Sequence, residues 1–284
     1  MDEACIWVTG VGGVIGSEVL RMAPQFSNNT RVRGWLHGEL ELTDRAAVRE
    51  AFRRSRPEAI IHCAALSRNP QCHADPELAR RVNVDATAYL ASLAKDVPLL
   101  FFSTDLVFDG RKGHYRESDP VNPLSVYAET KVAAEQIVLE NPLHTVIRNA
   151  LTAGRSPTGN RSFNEEMRLA WEAGKVLNLF SDEFRCPIGS EVIARAVWEL
   201  LRANRPGLYH LAGTERLSRF EIGQALVARR PEFSHLVRSG SVKDYHGPPR
   251  PVDASLDCSL LQTLLSFTLP RFTDWLTSHP ELSL

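Results

Sequence analysis

The chain has 284 residues, 43% of them hydrophobic, which is enough to bury the core of one large domain or of one and a half ordinary ones. Its 33 Lys and Arg against 34 Asp and Glu leave a net charge of -1, which excludes a whole-chain attraction to nucleic acid or to an anionic membrane. The five cysteines and nine histidines show no metal-ligand spacing, and no apolar run is long enough to span a membrane, so we expect a metal-free cytoplasmic protein with reduced thiols.

The first predicted elements are a strand from Ala4 to Thr9, a glycine-rich turn and a helix from Ser17 to Met22. The turn carries glycines at positions 10, 13 and 16. Gly10 would permit a tight turn, Gly13 would let the backbone approach a pyrophosphate, and Gly16 would allow close packing of the helix on the strand. The same glycines would also serve a tight crossover with no ligand. The candidates for dinucleotide contact are Gly10, Gly13, Val14, Ile15 and Gly16.

The second predicted strand, Arg31 to Leu36, ends without the Asp or Glu that usually binds the ribose 2′-hydroxyl of NAD. His37 follows it, and Arg31 and Arg33 lie nearby in the sequence, so a 2′-phosphate is tolerable and the pattern leans towards NADPH. The alternative is that these basic side chains only solvate the edge of the sheet.

A third βα unit follows. Asp44 is a predicted N-cap for a helix from Arg45 to Arg54, and the next strand runs from Ala59 to Ala65. Its end is made of small residues, which would let a cofactor lie against the sheet.

Asp75-Pro76 opens a long predicted amphipathic helix that reaches residue 94. Helical periodicity places Asn83 and Asp85 on its surface.

The apolar strand Pro98 to Phe102 is typical of the middle of a parallel sheet. It is followed by Ser103 and Thr104, whose hydroxyls stand at the carboxyl end of the strand, where ligands of open α/β sheets collect. Thr104 is a candidate hydrogen-bond donor to a substrate carbonyl, and Ser103 a cofactor contact. Capping of a turn explains the same hydroxyls equally well.

A Gly- and Pro-rich loop over 110–123 leads to a helix with Tyr127 and Lys131 one turn apart on the same face. A Lys cation beside a phenol favours the phenolate, so Tyr127 is a candidate acid/base of lowered pKa. This spacing also occurs by chance on solvated helices. A strand over 145–148 completes five βα units, which predict a doubly wound parallel sheet (a Rossmann fold) within residues 1–150.

Residues 151–284 are predicted to form a smaller substrate-binding lobe packed on this core, with returning elements that complete the sheet. Its predicted strands lie over 176–180 and 208–211 and its helices over 163–173, 193–202, 220–229 and 269–276. Arg185 and Arg250 are the candidate partners of a nucleotide diphosphate, although each taken alone reads equally well as a surface residue.

Several strings in the sequence match one known family over nearly the whole chain. They are Thr9-Gly10-x-x-Gly13-x-x-Gly16, Glu41-Leu42-Thr43-Asp44, His62-Cys63-Ala64-Ala65, Asn83-Val84-Asp85-Ala86, Ser103-Thr104-Asp105-x-Val107-Phe108-Asp109-Gly110, Tyr127-x-x-x-Lys131, Gly207-x-Tyr209-His210-x-x-Gly213 and Arg250-Pro251. Together they resemble the extended short-chain dehydrogenases/reductases, in the branch of the dTDP-4-dehydrorhamnose reductases. The string around Thr104 is the most specific.

The resemblance implies a catalytic set of Thr104, Tyr127 and Lys131. Lys131 would bind the nicotinamide ribose and lower the pKa of Tyr127, Thr104 would hold the substrate carbonyl, and Tyr127 would protonate the developing alkoxide. A homodimer is common in the family.

NADP or NAD is the implied cofactor. The further contacts implied for it are Glu41, Leu42, Cys63, Ala64 and Ala65, beside His37, Ser103, Tyr127 and Lys131. The residues assigned to a nucleotide-sugar substrate are Asp105, Leu106, Val107, Phe108, Leu151, Arg185 and Arg250. Leu106 and Leu151 stand where the branch commonly carries Tyr and Trp, so the sugar pocket is expected to differ.

The leading hypothesis is an NAD(P)H-dependent reductase of a 4-keto nucleotide sugar, such as a dTDP-4-keto-6-deoxyhexose. A sugar epimerase or dehydratase on the same scaffold is a second, although Thr104-Asp105 lacks the Asp-Glu pair that such dehydratases tend to show. A third is a non-catalytic regulatory subunit, since relatives of this branch include a partner of methionine adenosyltransferase.

Overall fold

The computed structural model describes residues 5–280. Its strands are β1 Cys5–Thr9, β2 Arg31–Trp35, β3 Pro57–His62, β4 Leu99–Thr104, β5 Thr145–Asn149, β6 Thr152–Ala153, β7 Leu177–Phe180, β8 Phe184–Arg185, β9 Ile188–Gly189, β10 Gly207–Leu211, β11 Leu217–Ser218 and β12 Val237–Gly240. Its α-helices are α1 Val14–Phe26, α2 Arg45–Ser55, α3 Asn69–Ala74, α4 Pro76–Arg80, α5 Ala86–Leu93, α6 Val126–Leu139, α7 Phe163–Glu172, α8 Ser190–Ala203, α9 Arg219–Val227, α10 Ser259–Gln262 and α11 Phe272–Ser278. Short 3-10 turns cover Asp105–Val107, Pro231–Leu236 and Val242–Asp244.

The predicted doubly wound parallel sheet is confirmed. Six parallel strands lie in the order β10-β5-β4-β3-β1-β2. The chain reverses its direction across the sheet at β1, which pairs with β2 on one side and β3 on the other. Strands β1, β4 and β5 are buried along their whole length, as covered parallel strands are. A ligand crevice is therefore expected outside the carboxyl ends of β1, β3 and β4.

Helices cover both faces of the sheet. On one face α1 and α8 pack on the apolar side chains of β1, β3, β4 and β5, and the indole of Trp198 donates a 3.0 Å hydrogen bond to the carbonyl of Val19. On the other face α2, α5 and α6 pack around Trp7 and Phe101. Both ring systems are fully buried. The sandwich fixes the carboxyl edge of the sheet, where the candidate site lies.

The C-terminal part of the chain also contributes to this sandwich. Strand β10 pairs with β5 at the edge of the sheet, and α8 covers α1. A further apolar cluster joins α7, α9 and α11 around the fully buried Trp171. The boundary at residue 150 between a cofactor-binding part and a substrate-binding part remains a prediction.

Several predicted elements differ from those of the structure. Helix α1 begins at Val14 rather than Ser17, and α11 begins at Phe272 rather than at residue 269. The long helix predicted from residue 76 is confirmed as one uninterrupted helical run to residue 93, but a π-helical turn, Arg81–Asp85, lies within it between α4 and α5. Ala4 of the first predicted strand lies outside the described residues. Within residues 5–280, no helix has the length and apolar character needed to cross a membrane.

Candidate active site

The glycine turn brings the first strand against the loop that follows β3. Gly10 has φ +72°, and a Cβ there would lie 2.6 Å from the backbone nitrogen of Ala64. A Cβ on Gly16 would lie 2.4 Å from the Gly10 carbonyl oxygen. Gly13 caps α1 without a side chain, so the backbone N–H groups of the first turn point out of the helix unshielded. This cradle fits the diphosphate of a dinucleotide, which needs close backbone approach and free N–H donors.

Charged side chains of both signs lie at the end of β2. His37 is paired with Glu41 through a 3.0 Å contact between Nδ1 and Oε2. The guanidinium of Arg33 lies 4.4 Å from the ring centroid of Trp35, and its Nη2 is 3.9 Å from Glu39 Oε1. Of the three predicted basic groups, His37 and Arg33 therefore each have a carboxylate neighbour that a 2′-phosphate would have to displace. Leu42 packs against the core beneath α2.

Thr104 and Tyr127 meet at the carboxyl end of β4. Thr104 ends the strand, and Tyr127 is the second residue of α6, which the Ser125 hydroxyl caps by accepting a 3.3 Å hydrogen bond from Ala128 N. The Thr104 hydroxyl donates to Asp105 Oδ1 at 3.1 Å and accepts from Leu106 N at 3.2 Å. It also interacts with the Tyr127 phenol and favours its ionised form. The hydroxyl and the phenol can therefore address the same reacting oxygen.

The expected lowering of the Tyr127 pKa is wrong. Burial raises it above its usual value, the charge of Asp105 raises it further, and Thr104 offsets only part of the effect. Lys131 is not among the groups that shift this pKa, and its ammonium lies 4.0 Å from the ring centroid of Phe101. Burial also lowers the pKa of Lys131 to about 7, against the opposing effect of Glu135. At neutral pH Tyr127 is thus held as a neutral phenol, a proton donor.

A buried cluster of charges lies beneath Asp105. Arg185 Nε is 3.6 Å from Asp105 Oδ2, and Arg185 Nη2 is 3.1 Å from Glu183 Oε1. Glu183 also accepts two hydrogen bonds from Arg250, of 2.7 and 2.9 Å. Burial raises the pKa of Asp105, and Arg185 opposes that effect. Both predicted diphosphate ligands are thus held by Glu183, a carboxylate that the sequence analysis missed because no local pattern links it to them.

Two of the predicted substrate contacts have side chains enclosed by protein. Val107 and Phe108 are fully buried, and the Phe108 ring stacks on Tyr115 with centroids 4.1 Å apart. Leu106 and Leu151 are partly exposed. The assignment of these four residues to the substrate stays a prediction. Ser103 is buried, and its hydroxyl makes no hydrogen bond within residues 5–280.

Asn83, predicted on the surface, is buried inside the site and 1% exposed. Its Oδ1 accepts from Leu66 N at 2.8 Å, and its Nδ2 donates to Leu66 O and to Thr130 Oγ1, both at 3.0 Å. Thr130 in turn donates to the carbonyl of Tyr127 at 2.7 Å. The π-helical turn reorients Asn83 towards this loop, which periodicity of 3.6 could not show. One side chain therefore joins the loop after β3 to the helix of Tyr127.

His62 ties the same loop to the strands. Its ring nitrogens lie 2.8 Å from Thr9 Oγ1 and 2.9 Å from Thr87 Oγ1, and Ala64 N donates to Thr9 Oγ1 at 3.3 Å. Burial, and then the charge of Lys131, lowers the pKa of His62 to about 3. The neutral imidazole fixes the backbone of Cys63, Ala64 and Ala65, which stay partly exposed at the sheet edge. Over the described part of the chain, no group of three or more His, Cys, Asp or Glu side chains is placed to bind a metal.

A family model described as the RmlD substrate binding domain matches residues 4–280. The chain belongs to this family. The match confirms the resemblance to the extended short-chain dehydrogenases/reductases, in the dTDP-4-dehydrorhamnose reductase branch, and with it the predicted class of NAD(P)-dependent oxidoreductase.

Relatives within this family carry different functions. A dTDP-4-dehydrorhamnose reductase of Sinorhizobium fredii is 28% identical over 94% of this chain and 93% of its own. A methionine adenosyltransferase 2 subunit beta of Bos taurus is 30% identical over 91% of this chain and 82% of its own. The crystal structure of a dTDP-4-dehydrorhamnose reductase of Bacillus anthracis in complex with NADP superposes with a TM-score of 0.88, covering 98% of both chains at 22% identity. At that identity the likeness shows the shared fold.

Proposed function

We propose that this protein reduces the 4-keto group of a nucleotide sugar with NADPH, as a dTDP-4-dehydrorhamnose reductase does. The observation that carries the proposal is the neutral phenol of Tyr127, which lies beside Thr104 at the sheet edge that also holds the glycine cradle. Reduction of a ketone needs a proton donor at the carbonyl oxygen, and the neutral, partly buried phenol of Tyr127 beside Thr104 carries such a proton. The Sinorhizobium fredii reductase supports the substrate class.

In this proposal one set of residues binds the cofactor and another donates the proton. NADPH, when bound, supplies the hydride. The N-terminus of α1 would hold its diphosphate, and the backbone of Ala64 and Ala65 would contact the cofactor at the sheet edge. Tyr127 gives its proton to the carbonyl oxygen as negative charge develops there. The Thr104 hydroxyl, which donates to Asp105 Oδ1 at 3.1 Å in this structure, would turn its proton to the same carbonyl oxygen.

The choice of NADPH rests on the end of β2, where no carboxylate faces the expected ribose directly after the strand. His37 and Arg33 would turn from Glu41 and Glu39 to a 2′-phosphate. The complex of the Bacillus anthracis reductase with NADP is in line with this choice.

The test is the Tyr127→Phe variant, assayed by NADPH oxidation with a dTDP-4-keto-6-deoxyhexose. General-acid catalysis is worth about 100-fold to 10,000-fold, so the turnover number should fall at least about 100-fold while the NADPH dissociation constant stays within about threefold. Tyr89→Phe is the matched control, because its phenol, on α5, accepts a hydrogen bond from Arg49 of α2. A Tyr127→Phe enzyme of full activity would refute the proposal.

A regulatory subunit without turnover is the second candidate, favoured by the 30% identity to the bovine methionine adenosyltransferase subunit. In this role the protein would bind NADP and a catalytic partner. Native mass spectrometry of the protein mixed with the methionine adenosyltransferase of its own host tests it. A stable complex without NADPH oxidation on any nucleotide sugar supports this candidate, and turnover without a complex excludes it.

A further inference from the structure

Lys131 has a carboxylate neighbour that does not bind it. Glu135 follows one helical turn later on α6, at the spacing at which Glu and Lys ordinarily pair, and both residues are 2% exposed. The ammonium instead lies over the face of Phe101, 4.0 Å from its centroid. Within residues 5–280, it forms neither a hydrogen bond nor an ion pair. Such an ammonium retains its capacity to bind a ligand.

Arg148 on β5 is the reason that Glu135 is occupied. Its Nε lies 3.0 and 3.1 Å from the two carboxylate oxygens, and its Nη2 lies 2.7 Å from Oε2. The pair is almost fully enclosed, with side chains 6% and 3% exposed. The guanidinium also lies 5.2 Å from the ring centroid of Phe108, which fixes its plane. Both oxygens of Glu135 are thus engaged by Arg148 and not by Lys131.

Arg148 is a stronger partner for the Glu135 carboxylate than Lys131 is. A two-pronged guanidinium–carboxylate contact is stronger and more directional than a contact with a single ammonium. Without Arg148, a buried carboxylate would need another cation, and the nearest is one turn away on the same helix. Glu135 would then draw the ammonium towards the helix and away from the sheet edge.

We propose that Glu135 and Arg148 are positioning residues that keep the Lys131 ammonium available to the cofactor ribose. The inference rests on the proposed function, because it presumes that Lys131 binds that ribose. Glu135 still acts on Lys131 at a distance, since its charge favours the ammonium form. The Glu135 carboxylate therefore stabilises the ammonium form of Lys131 without forming an ion pair with it.

Arg148→Met, Glu135→Gln and the double variant separate this role from simple packing. Arg148→Met should weaken NADPH binding at least about tenfold, since the freed carboxylate captures Lys131. The double variant should bind within about threefold of the wild type, because no carboxylate is left to capture the ammonium. Binding is read by cofactor fluorescence on protein whose circular dichroism is native. Arg148→Lys, which leaves one oxygen of Glu135 free, carries the test if Arg148→Met does not fold, with an expected loss of about threefold.

The pH dependence of NADPH binding is the readout that packing alone would not move. The groups that face Lys131 are Glu135 from α6, His62 and Cys63 at the end of β3, and Cys72 from α3. The midpoint of binding should move to higher pH in Arg148→Met and to lower pH in Glu135→Gln. Unchanged binding in a folded Arg148→Met, or no recovery in the double variant, overturns the inference alone. Failure of the wild type to bind NADPH overturns the proposed function and the inference with it.

Discussion

Asn83→Asp is the substitution that most directly probes the link between the cofactor loop and the catalytic helix. The change is nearly isosteric and keeps the oxygen that accepts from Leu66 N. It replaces the amide nitrogen, which donates to Leu66 O and to Thr130 Oγ1, by a second acceptor. A carbonyl oxygen and a carboxylate oxygen then face each other in a buried space.

The magnitude follows from these contacts. Two lost hydrogen bonds account for about 2 kcal/mol, and a buried carbonyl left without its donor adds about 1–3 kcal/mol. We therefore expect the free energy of unfolding at pH 7 to fall by about 3–5 kcal/mol. The new carboxyl is buried, so its folded-state pKa is raised above about 3.9, and the protonated form can donate to Leu66 O again. The folded variant then binds more protons than the unfolded chain, so its stability deficit should shrink as the pH falls from 7 to 5.

Urea denaturation followed by circular dichroism, at pH 7 and pH 5, measures both effects. Thr130→Val is the matched control, because it removes the contact of Asn83 with the helix and the local bond of Thr130 to the Tyr127 carbonyl without adding a charge, and should cost about 1–2 kcal/mol at either pH. The NADPH dissociation constant of the folded Asn83→Asp protein should rise, since the loop over 64–66 loses its tether. A variant within 0.5 kcal/mol of the wild type at pH 7, or one with a larger deficit at pH 5, would refute the reasoning.

Three further predictions concern other parts of the molecule. Burial lowers the pKa of His210 to about 4, so below pH 6.5 the unfolded chain binds more protons than the folded protein. The free energy of unfolding should therefore fall by about 3 kcal/mol as the pH drops to 4. His210→Asn should reduce this dependence on pH when unfolding by urea is measured in acid. Gly16→Ala places a Cβ 2.4 Å from the Gly10 carbonyl oxygen, so NADPH binding measured by fluorescence should be lost, whereas retained affinity would contradict the cradle. Asp105→Asn removes a charge that raises the pKa of the catalytic phenol, so the alkaline limb of kcat/KM should move to lower pH; a move to higher pH would contradict this.

The parts of the fold that the sequence predicts well are those set by local chemistry. The turn at Gly10 follows from its position between an apolar strand and a helix, and the spacing of Tyr127 and Lys131 follows from helical periodicity. The N-cap role of Asp44 is confirmed, with its carboxylate accepting from Ala46 N and Ala47 N. Each of these features involves residues close together in the chain.

Contacts between distant segments escaped the same reasoning. Asn83 reads as a surface residue until the π-helical turn aims it at Leu66. The pKa of Tyr127 could not be derived from its spacing to Lys131, because burial and the charge of Asp105, 22 positions earlier in the chain, raise it. Likewise no pattern joins Arg185 to Asp105, 80 positions earlier, because the two meet only through the packing of distant segments.

Transfer of deuterium from NADPH labelled at C4 of the nicotinamide tests the central claim most directly. The protein is incubated with the labelled cofactor and a dTDP-4-keto-6-deoxyhexose, and the product is analysed by mass spectrometry and NMR. The account predicts one deuterium at C4 of the sugar and one cofactor oxidised for each sugar reduced. NADPH that binds without oxidation, or a product sugar without deuterium at C4, would contradict it.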